Sequence, residues 1–294
     1  MSQAETDALE ERLSRAIEAY HEAALLYAAV KLGLPQAMGA GSWTAADLAR
    51  ALGLSAPHLE RFLRGLCLIG ICEERAGGSF ALTAFGQTLT PESRLAQKVR
   101  IVVEQYWLPW SKLDTTLRSG MPAFAQAFGA TVFDWRRDHP DQGALFASYL
   151  ANQMQPKSEA ILAALDMREA ASVIEIGGAD DAVLASLPLE ADLYLLRGVL
   201  QNYGDADAAA ILRNCAAAMR EGARLAIVER PMPQRAMDDP ASIMLDLHMM
   251  TITGGRLRTL AEIEELLSAA GLSRRSAKRM ATGQTLIEAV KPAS

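Results

Sequence analysis

The sequence of 294 residues lacks three features that would identify its class at once. It has only three cysteines, Cys67, Cys72 and Cys215, at spacings that fit neither a metal site nor a disulfide framework, so no metal is expected. No apolar run is long enough to span a membrane. Basic residues are fewer than acidic ones, 29 against 35, which disfavours nucleic acid and anionic membranes as partners. The N-terminus shows no signal-peptide pattern, so the expected location is the reduced cytoplasm.

The N-terminal part, residues 10–87, has the pattern of a winged-helix domain. Its first helical stretch has a strongly apolar face, formed by Ala23, Leu26, Tyr27, Val30, Leu32 and Leu34. The segment "GICEERAGGSFALT" then predicts two short strands around Gly77 and Gly78. The helix that would read DNA has only two basic residues, and its apolar face is too broad for one small core. We therefore predict a dimerisation module rather than a DNA-binding one.

Residues 94–165 form a further helical region that is rich in aromatic side chains. These are Tyr106, Trp107, Trp110, Phe124, Phe128, Phe133, Trp135 and Phe146. They can be read as ordinary core or as the roof of a pocket for a flat, mostly apolar small molecule. The predicted division of the chain is a dimerisation domain over residues 1–92, a helical linker and substrate roof over 93–168, and an α/β domain over 169–294.

Strands and helices alternate in the last part of the chain, which predicts an open, mostly parallel α/β sheet. The segment "ASVIEIGG" is an apolar strand that ends in a glycine turn, and "ADLYLLRGVL" and "ARLAIVERPM" are the next strands. The helix "DADAAAILRNCAAAMREG" has Asp205 as its expected N-cap. A later helix is capped by Thr259, and "SRRSAKRM" with "TLIEAV" predicts a closing hairpin.

Several segments follow the winged-helix pattern in a characteristic order. They are "PAFAQAFG", "VIEIGG", "LLRGVLQNYGDADAAAILRNC", "RLAIVERPMP" and "DLHMMTITGGRLRT". In this order the chain resembles the small-molecule O-methyltransferases that use S-adenosylmethionine (SAM), the two-domain kind of plants and bacterial secondary metabolism. The resemblance covers nearly the whole chain. It implies a winged-helix dimerisation domain, a Rossmann-like methyltransferase domain and a small-molecule substrate.

The stretch after the first of these strands departs from the family pattern. Asp180 and Asp181 follow the Gly177-Gly178 turn, where the family has a more open glycine loop around the cofactor. The thirteen residues 179–191 suffice for one short crossover, but not for the family's two further βα units. We therefore expect a truncated sheet without strands two and three, and a degenerate cofactor site at Gly177 and Gly178.

The acceptor side of the site departs from the family pattern as well. The resemblance places Gln201 where plant-type enzymes have a histidine as general base, and a glutamine amide cannot take up a proton at neutral pH. Leu257 replaces a glutamate that often supports that histidine. A second supporting acid remains as Glu229.

The leading hypothesis from these departures is a methyltransferase-like protein that has lost SAM-dependent methyl transfer and uses no cofactor. It would be a repurposed enzyme for cyclisation, isomerisation or elimination, or an auxiliary subunit, as a homodimer or a heterodimer with a related methyltransferase. The candidate acid–base groups are His248, Glu229 and Asp246, although a lone histidine on a Met-rich helix also fits a satisfied buried residue. The candidate substrate-binding residues are Trp107, Trp110, Phe124, Met154, Gln201, Asn202, Met249 and Met250. The alternative is an active SAM-dependent O-methyltransferase on a small aromatic or polyketide-like acceptor.

Overall fold

The computed structural model describes residues 1–165, 170–177 and 191–292. The chain divides into two compact units, Met1–Gln105 and Tyr106–Ser294. The predicted crossover helix, with Gly178, Asp180 and Asp181, lies outside the described residues. In the described part of the chain, no helix has the length and apolar character needed to span a membrane.

The first unit combines helices with a small antiparallel sheet. Its helices are α1 (Gln3–Glu18), α2 (Tyr20–Lys31), α3 (Leu34–Met38), α4 (Ala45–Leu52), α5 (Ala56–Leu68) and α6 (Arg94–Ile101), followed by a π-helical turn (Val102–Tyr106). Its strands are β1 (Ser42–Thr44), β2 (Cys72–Arg75) and β3 (Ser79–Leu82), in the order β1-β3-β2. The predicted hairpin is confirmed, with Gly77 and Gly78 at φ 86° and 75° in its turn. Strand β1 is an addition that the sequence pattern did not indicate.

The core of the first unit lies between α3, α4, α5 and the sheet. Leu48, Leu63 and Phe80 are among its fully buried side chains. Helix α1, by contrast, buries no residue within this unit. Its Leu9, Leu13 and Ile17 are 36%, 50% and 74% exposed. Because residues four apart share one face of a helix, these side chains form an uncovered apolar stripe.

The second unit contains a layer of short helices and a five-stranded sheet. Its helices are α7 (Trp107–Trp110), α8 (Leu113–Ser119), α9 (Ala123–Phe128), α10 (Val132–Asp138), α11 (Pro140–Ala164), α12 (Asp205–Ala218), α13 (Pro240–Ile252) and α14 (Leu260–Ala269). Its strands are β4 (Val173–Ile176), β5 (Leu193–Arg197), β6 (Arg224–Glu229), β7 (Ser273–Arg279) and β8 (Thr285–Val290). A 3₁₀ turn (Leu200–Asn202) follows β5, and another (Ala236–Asp238) precedes α13.

The strand order in this sheet is β4-β5-β6-β8-β7. Strands β4, β5 and β6 are parallel, and the closing hairpin of β7 and β8 is antiparallel, as the sequence predicted. Ile174 lies opposite Tyr194, so β4 and β5 are direct neighbours, and β4 is an edge strand within the described residues. The expected shortened Rossmann-like sheet is confirmed in this part of the chain. Alternate side chains of β5 and β6 pack into two separate apolar clusters. Both faces of these strands are therefore buried, which explains their largely apolar sequences.

Helix ends in this unit agree with the sequence in one case and correct it in another. Thr259 and Glu262 form the complete capping box of α14. The N-cap of α12 is Gly204 rather than the predicted Asp205, which is the first residue of the helix. The Asp205 carboxylate instead pairs with Arg256 and Arg258, because two guanidinium groups attract it more strongly than a backbone amide.

Candidate active site

A glycine follows the carboxyl end of each of the neighbouring strands β4 and β5, so the backbone there has no side chain. Gly177 has φ 152° and Gly198 has φ 63°, both favourable for glycine only. A Cβ on Gly177 would lie 3.2 Å from Cγ2 of Val199, so a side chain here would crowd the start of the next turn. In open α/β sheets, ligands bind outside the carboxyl ends of the strands. This edge is therefore where the described residues can hold a cofactor.

The 3₁₀ turn after β5 is held by side chains from two other elements. Glu229, at the end of β6, accepts a hydrogen bond from the Leu200 N–H at 2.9 Å. Arg258 donates to the Leu200 carbonyl at 2.8 Å and to the Tyr203 carbonyl at 2.9 Å. Asn202 donates from Nδ2 to the Gly198 carbonyl at 2.9 Å. We call this turn with its two holders, Glu229 and Arg258, the clamped turn.

Burial dominates the electrostatics of Glu229. Loss of water around its carboxylate raises the pKa to about 7, against the lowering effect of backbone N–H donors and Arg258. Its carboxylate oxygen is engaged with the turn backbone. The structure therefore gives Glu229 a role in shaping the turn that presents Gln201.

The carboxylate of Asp246 also binds a backbone N–H group. Its Oδ1 accepts from the N–H of Leu257 at 2.7 Å and so fixes the segment that follows α13. Leu257 itself is buried in the apolar interior. The three candidate acid–base residues are thus not brought to one point by the described contacts: Glu229 and Asp246 each hold a backbone segment, and His248 lies in a different setting.

His248 belongs to a cluster of aromatic and basic side chains from the end of the π-helical turn and from α7, α10, α11 and α13. Trp110 donates from Nε1 to His248 Nδ1 at 3.2 Å. Tyr106 meets the imidazole edge to face, with ring centroids 4.6 Å apart. Arg136 is buried, donates to the Tyr106 hydroxyl at 3.0 Å, and lies 3.3 Å from the Phe146 ring centroid. We call these five residues the aromatic–basic cluster.

Burial shifts the pKa values of two groups in this cluster, and both shifts favour the uncharged form. Burial, and then the Arg136 guanidinium, lower the pKa of His248 to about 4. Burial raises the pKa of Tyr106, and the neighbouring Arg136 only partly opposes this. At neutral pH the cluster therefore holds a neutral imidazole, a neutral phenol and a cation.

The predicted substrate-binding residues occupy different environments. Phe124 is fully buried against Phe128 and Trp135, so it belongs to the core rather than to an open pocket wall. Met249 is buried as well, whereas Trp107, Trp110, Met154, Asn202 and Met250 are half-buried. Gln201 lines a narrow crevice together with Leu200, Glu229, Arg230, Arg256, Arg258 and Ile263. In the described part of the chain, no three His, Cys, Asp or Glu side chains converge as metal ligands.

Arg136 was not identified from the sequence as a site residue. It is one of two adjacent arginines in "DWRRD", and Arg137 pairs instead with Asp134 on the surface. The surrounding aromatic residues were the available signal, because a buried cation commonly packs against an aromatic ring. Nothing in the sequence alone distinguishes which of the two arginines turns inward.

Two family models match the chain. The O-methyltransferase dimerisation domain matches residues 14–92. The O-methyltransferase domain matches in two pieces, residues 110–187 and 179–273. The two pieces overlap in the stretch between β4 and β5. Together the two models cover most of the chain.

Individual proteins show the same likeness over nearly the full length. O-demethylpuromycin-O-methyltransferase of Streptomyces alboniger is 30% identical over 89% of this chain and 83% of its own length. Phenazine O-methyltransferase PhzM of Lysobacter antibioticus is 26% identical over 94% and 95%. The solved structure of NcsB1 from neocarzinostatin biosynthesis, in complex with SAM and 2-hydroxy-5-methyl naphthoic acid, is 25% identical. It covers 92% of this chain and 95% of NcsB1, with a TM-score of 0.76.

These findings correct two predictions made from the sequence. The hypothesis of lost methyl transfer is wrong, because the two proteins above, which are similar to this chain over almost its whole length, are O-methyltransferases. The expectation of no cofactor is wrong too, and a degenerate SAM site finds no support, since NcsB1 is solved with SAM and also with S-adenosyl-L-homocysteine. The error was to equate the missing βα units, the missing general base and its missing supporting acid with a lost reaction, although such a base contributes only about 10²–10⁴-fold to a rate. The chain belongs to the O-methyltransferase family that has an N-terminal dimerisation domain.

Proposed function

We propose that the protein is a SAM-dependent O-methyltransferase that acts on a small aromatic or polyketide-like acceptor. The observation that carries the proposal is the family match across both parts of the chain, including the α/β domain with its bare glycine edge. The likeness to NcsB1, which is solved with SAM and a naphthoic acid, supports both the cofactor and the class of acceptor.

The cofactor would be held at the carboxyl edge of β4 and β5. The left-handed conformation of Gly177 and Gly198 lets the backbone approach a ligand without a Cβ in the way. This arrangement fits SAM, which supplies an electrophilic methyl group when bound. The clamped turn packs against α13, so the glycine edge and the helix that carries His248 are connected through it.

The acceptor hydroxyl would have to lose its proton without a strong base from the protein. Gln201 has no basic nitrogen, and Glu229 is engaged with the backbone of the clamped turn. We infer that the preferred acceptors are acidic hydroxyl groups, such as phenols beside an electron-withdrawing group. Orientation of such an oxygen toward the methyl donor is then the main contribution of the protein.

Calorimetric titration with SAM tests this proposal. We expect micromolar binding by the native protein and a marked loss of binding in Gly177→Ala. Gly222→Ala is the matched control, because Gly222 also has positive φ, at 76°, but open space around it and a place at the far end of α12. Absence of SAM binding at millimolar concentration, with the protein folded, would refute the function.

We further propose a homodimer formed through the first unit. The dimerisation-domain match and the exposed apolar stripe of α1 support it, and the comparisons give no support to a heterodimer. Light scattering should give twice the chain mass of 31.7 kDa. The domain limits 1–92, 93–168 and 169–294 and the cytoplasmic location remain proposals from the sequence.

A further inference from the structure

The hydrogen bond between Trp110 and His248 fixes which imidazole nitrogen carries a proton. An indole N–H can only donate, so His248 Nδ1, 3.2 Å from Trp110 Nε1, must be the acceptor. In a neutral imidazole the other nitrogen is then protonated. His248 is therefore an Nε2–H tautomer whose second nitrogen is already occupied.

The Nε2–H group has no hydrogen-bond partner within the described residues. Within the described residues, the bond from Trp110 is the hydrogen bond that His248 makes, and it uses Nδ1. Two side-chain polar atoms in the same part of the chain are fully buried without a partner, Thr116 Oγ1 and Gln284 Oε1. The Nε2 atom of His248 is not one of them. The Nε2–H group is therefore not fully enclosed, although the ring is half-buried between Tyr106 and Trp110.

The surroundings of the ring keep it neutral. The phenol of Tyr106 lies against the ring, and the charge that acts on it is that of Arg136 from α10. Of the elements that contact α13, α7, α9 and Leu200–Asn202 contain no ionisable side chain. The charged residues of the others pair elsewhere, Asp114 with Arg118 on α8 and Asp238 with Arg235. A cation nearby opposes a second positive charge on the imidazole. Because Nδ1 is occupied and Nε2 already has its proton, His248 has no free nitrogen with which to take one up.

We infer that His248 is a fixed, neutral hydrogen-bond donor that binds a carbonyl or anionic oxygen of the acceptor through Nε2–H. This inference rests on the proposed function, and it replaces the acid–base role that the sequence suggested for His248. It defines the substrate class further: the ring that is methylated carries, near its hydroxyl group, an oxygen that accepts a hydrogen bond. A carbonyl group conjugated with the ring also makes a phenol more acidic, which suits a site without a base at Gln201.

Nitrogen-15 NMR of histidine-labelled protein tests the tautomer directly. The chain has four histidines, and the His248 signals are assigned by their loss in His248→Gln. We expect a protonated Nε2 and an unprotonated Nδ1 at pH 7, with the ring still neutral at pH 5.5. In Trp110→Phe the two tautomers should mix, whereas Trp43→Phe, which removes an indole bond to the Met38 carbonyl, should leave the His248 signals unchanged. A proton on Nδ1, or an imidazolium at pH 7, would overturn the inference.

A matched pair of probes tests the donor role. 1-Tetralone has a ketone oxygen and tetralin does not. The ketone should move the Nε2–H resonance and bind the native protein about five- to tenfold more tightly than His248→Phe, as expected for one hydrogen bond. His248→Gln keeps an N–H donor and should retain the preference for the ketone. Equal binding of tetralone by the native protein and His248→Phe would refute the donor role.

A failure of this inference can be distinguished from a failure of the proposed function. SAM binding without a preference for tetralone would refute the role of His248 and leave the methyltransferase proposal intact. A tetralone preference without SAM binding would refute the methyltransferase proposal and, with it, the assignment of the ketone probe to a methyl acceptor.

Discussion

The buried Glu229 and the half-buried His248 have opposite pKa shifts, so their effects on the pH dependence of stability should cancel. The pKa of Glu229 is raised from 4.5 to about 7, so its contribution to folding is complete below pH 4.5 and is lost as the pH rises to 7. The pKa of His248 is lowered from 6.5 to about 4, so its contribution is complete above pH 6.5 and is lost as the pH falls toward 4. Between pH 4.5 and 6.5 the two slopes have opposite signs and similar size.

The magnitude follows from the size of each shift. Each pKa change corresponds to about 3 kcal/mol, at about 1.4 kcal/mol per pH unit. The native protein should therefore show an almost constant free energy of unfolding between pH 4.5 and 6.5. His248→Gln should leave only the Glu229 slope, so that stability falls by about 3 kcal/mol from pH 4.5 to 7. Glu229→Gln should leave only the His248 slope, so that stability rises by nearly as much from pH 4.5 to 6.5.

Urea unfolding followed by circular dichroism, at one protein concentration and several pH values, measures these slopes. The comparison uses the slope of each variant, because both substitutions also lower the stability at every pH. If the unfolding free energy of both variants were as independent of pH as that of the native protein, the two pKa shifts would be refuted. If the slopes had the opposite signs, the directions of the two pKa shifts would be wrong.

The other predictions concern packing and assembly. Phe124→Ala should cost about 3–5 kcal/mol in unfolding free energy, because the side chain is fully buried among aromatic rings, whereas Met237→Ala, 83% exposed, should change it by less than about 0.5 kcal/mol. Gly255→Ala should strongly lower the melting temperature, since its Cβ would lie 2.2 Å from the backbone oxygen of Gln201. Gly271→Ala is the control: its Cβ would have open space, so it should cost only about 1 kcal/mol of backbone strain. Leu13→Asp should shift the protein from dimer to monomer in light scattering with its helical content unchanged; a stable dimer would exclude α1 from the interface.

The main elements of the fold could be predicted because local chemistry determines them. Thr259 has the side chain of an N-cap three residues before a glutamate, and the glycine pair after β2 has no alternative to a turn. Strands β5 and β6 are apolar on both faces, which a sheet covered on both sides requires. Asp205 was misjudged because its partners, Arg256 and Arg258, lie about fifty residues further along the chain.

The candidate site could be predicted only in part, for the same reason. His248 was identified by its residue type on an apolar helix, but its role depends on Trp110, which is 138 residues away in sequence. Periodicity shows which residues share a face of one helix; it does not show which side chain of another helix meets them. The aromatic content likewise indicated a pocket or a core, and only the packing placed Phe124 in the core.

The clamped turn is held by residues other than the one whose side chain it presents. The backbone path of the turn is set by Glu229 on one strand and by Arg258 beyond α13, and neither contact involves the side chain of residue 201. The side chain at that position can therefore be exchanged, from a proton acceptor to an amide, without a new loop conformation. The loop conformation depends on Glu229 and Arg258 rather than on Gln201, so residue 201 can be varied while the fold is preserved.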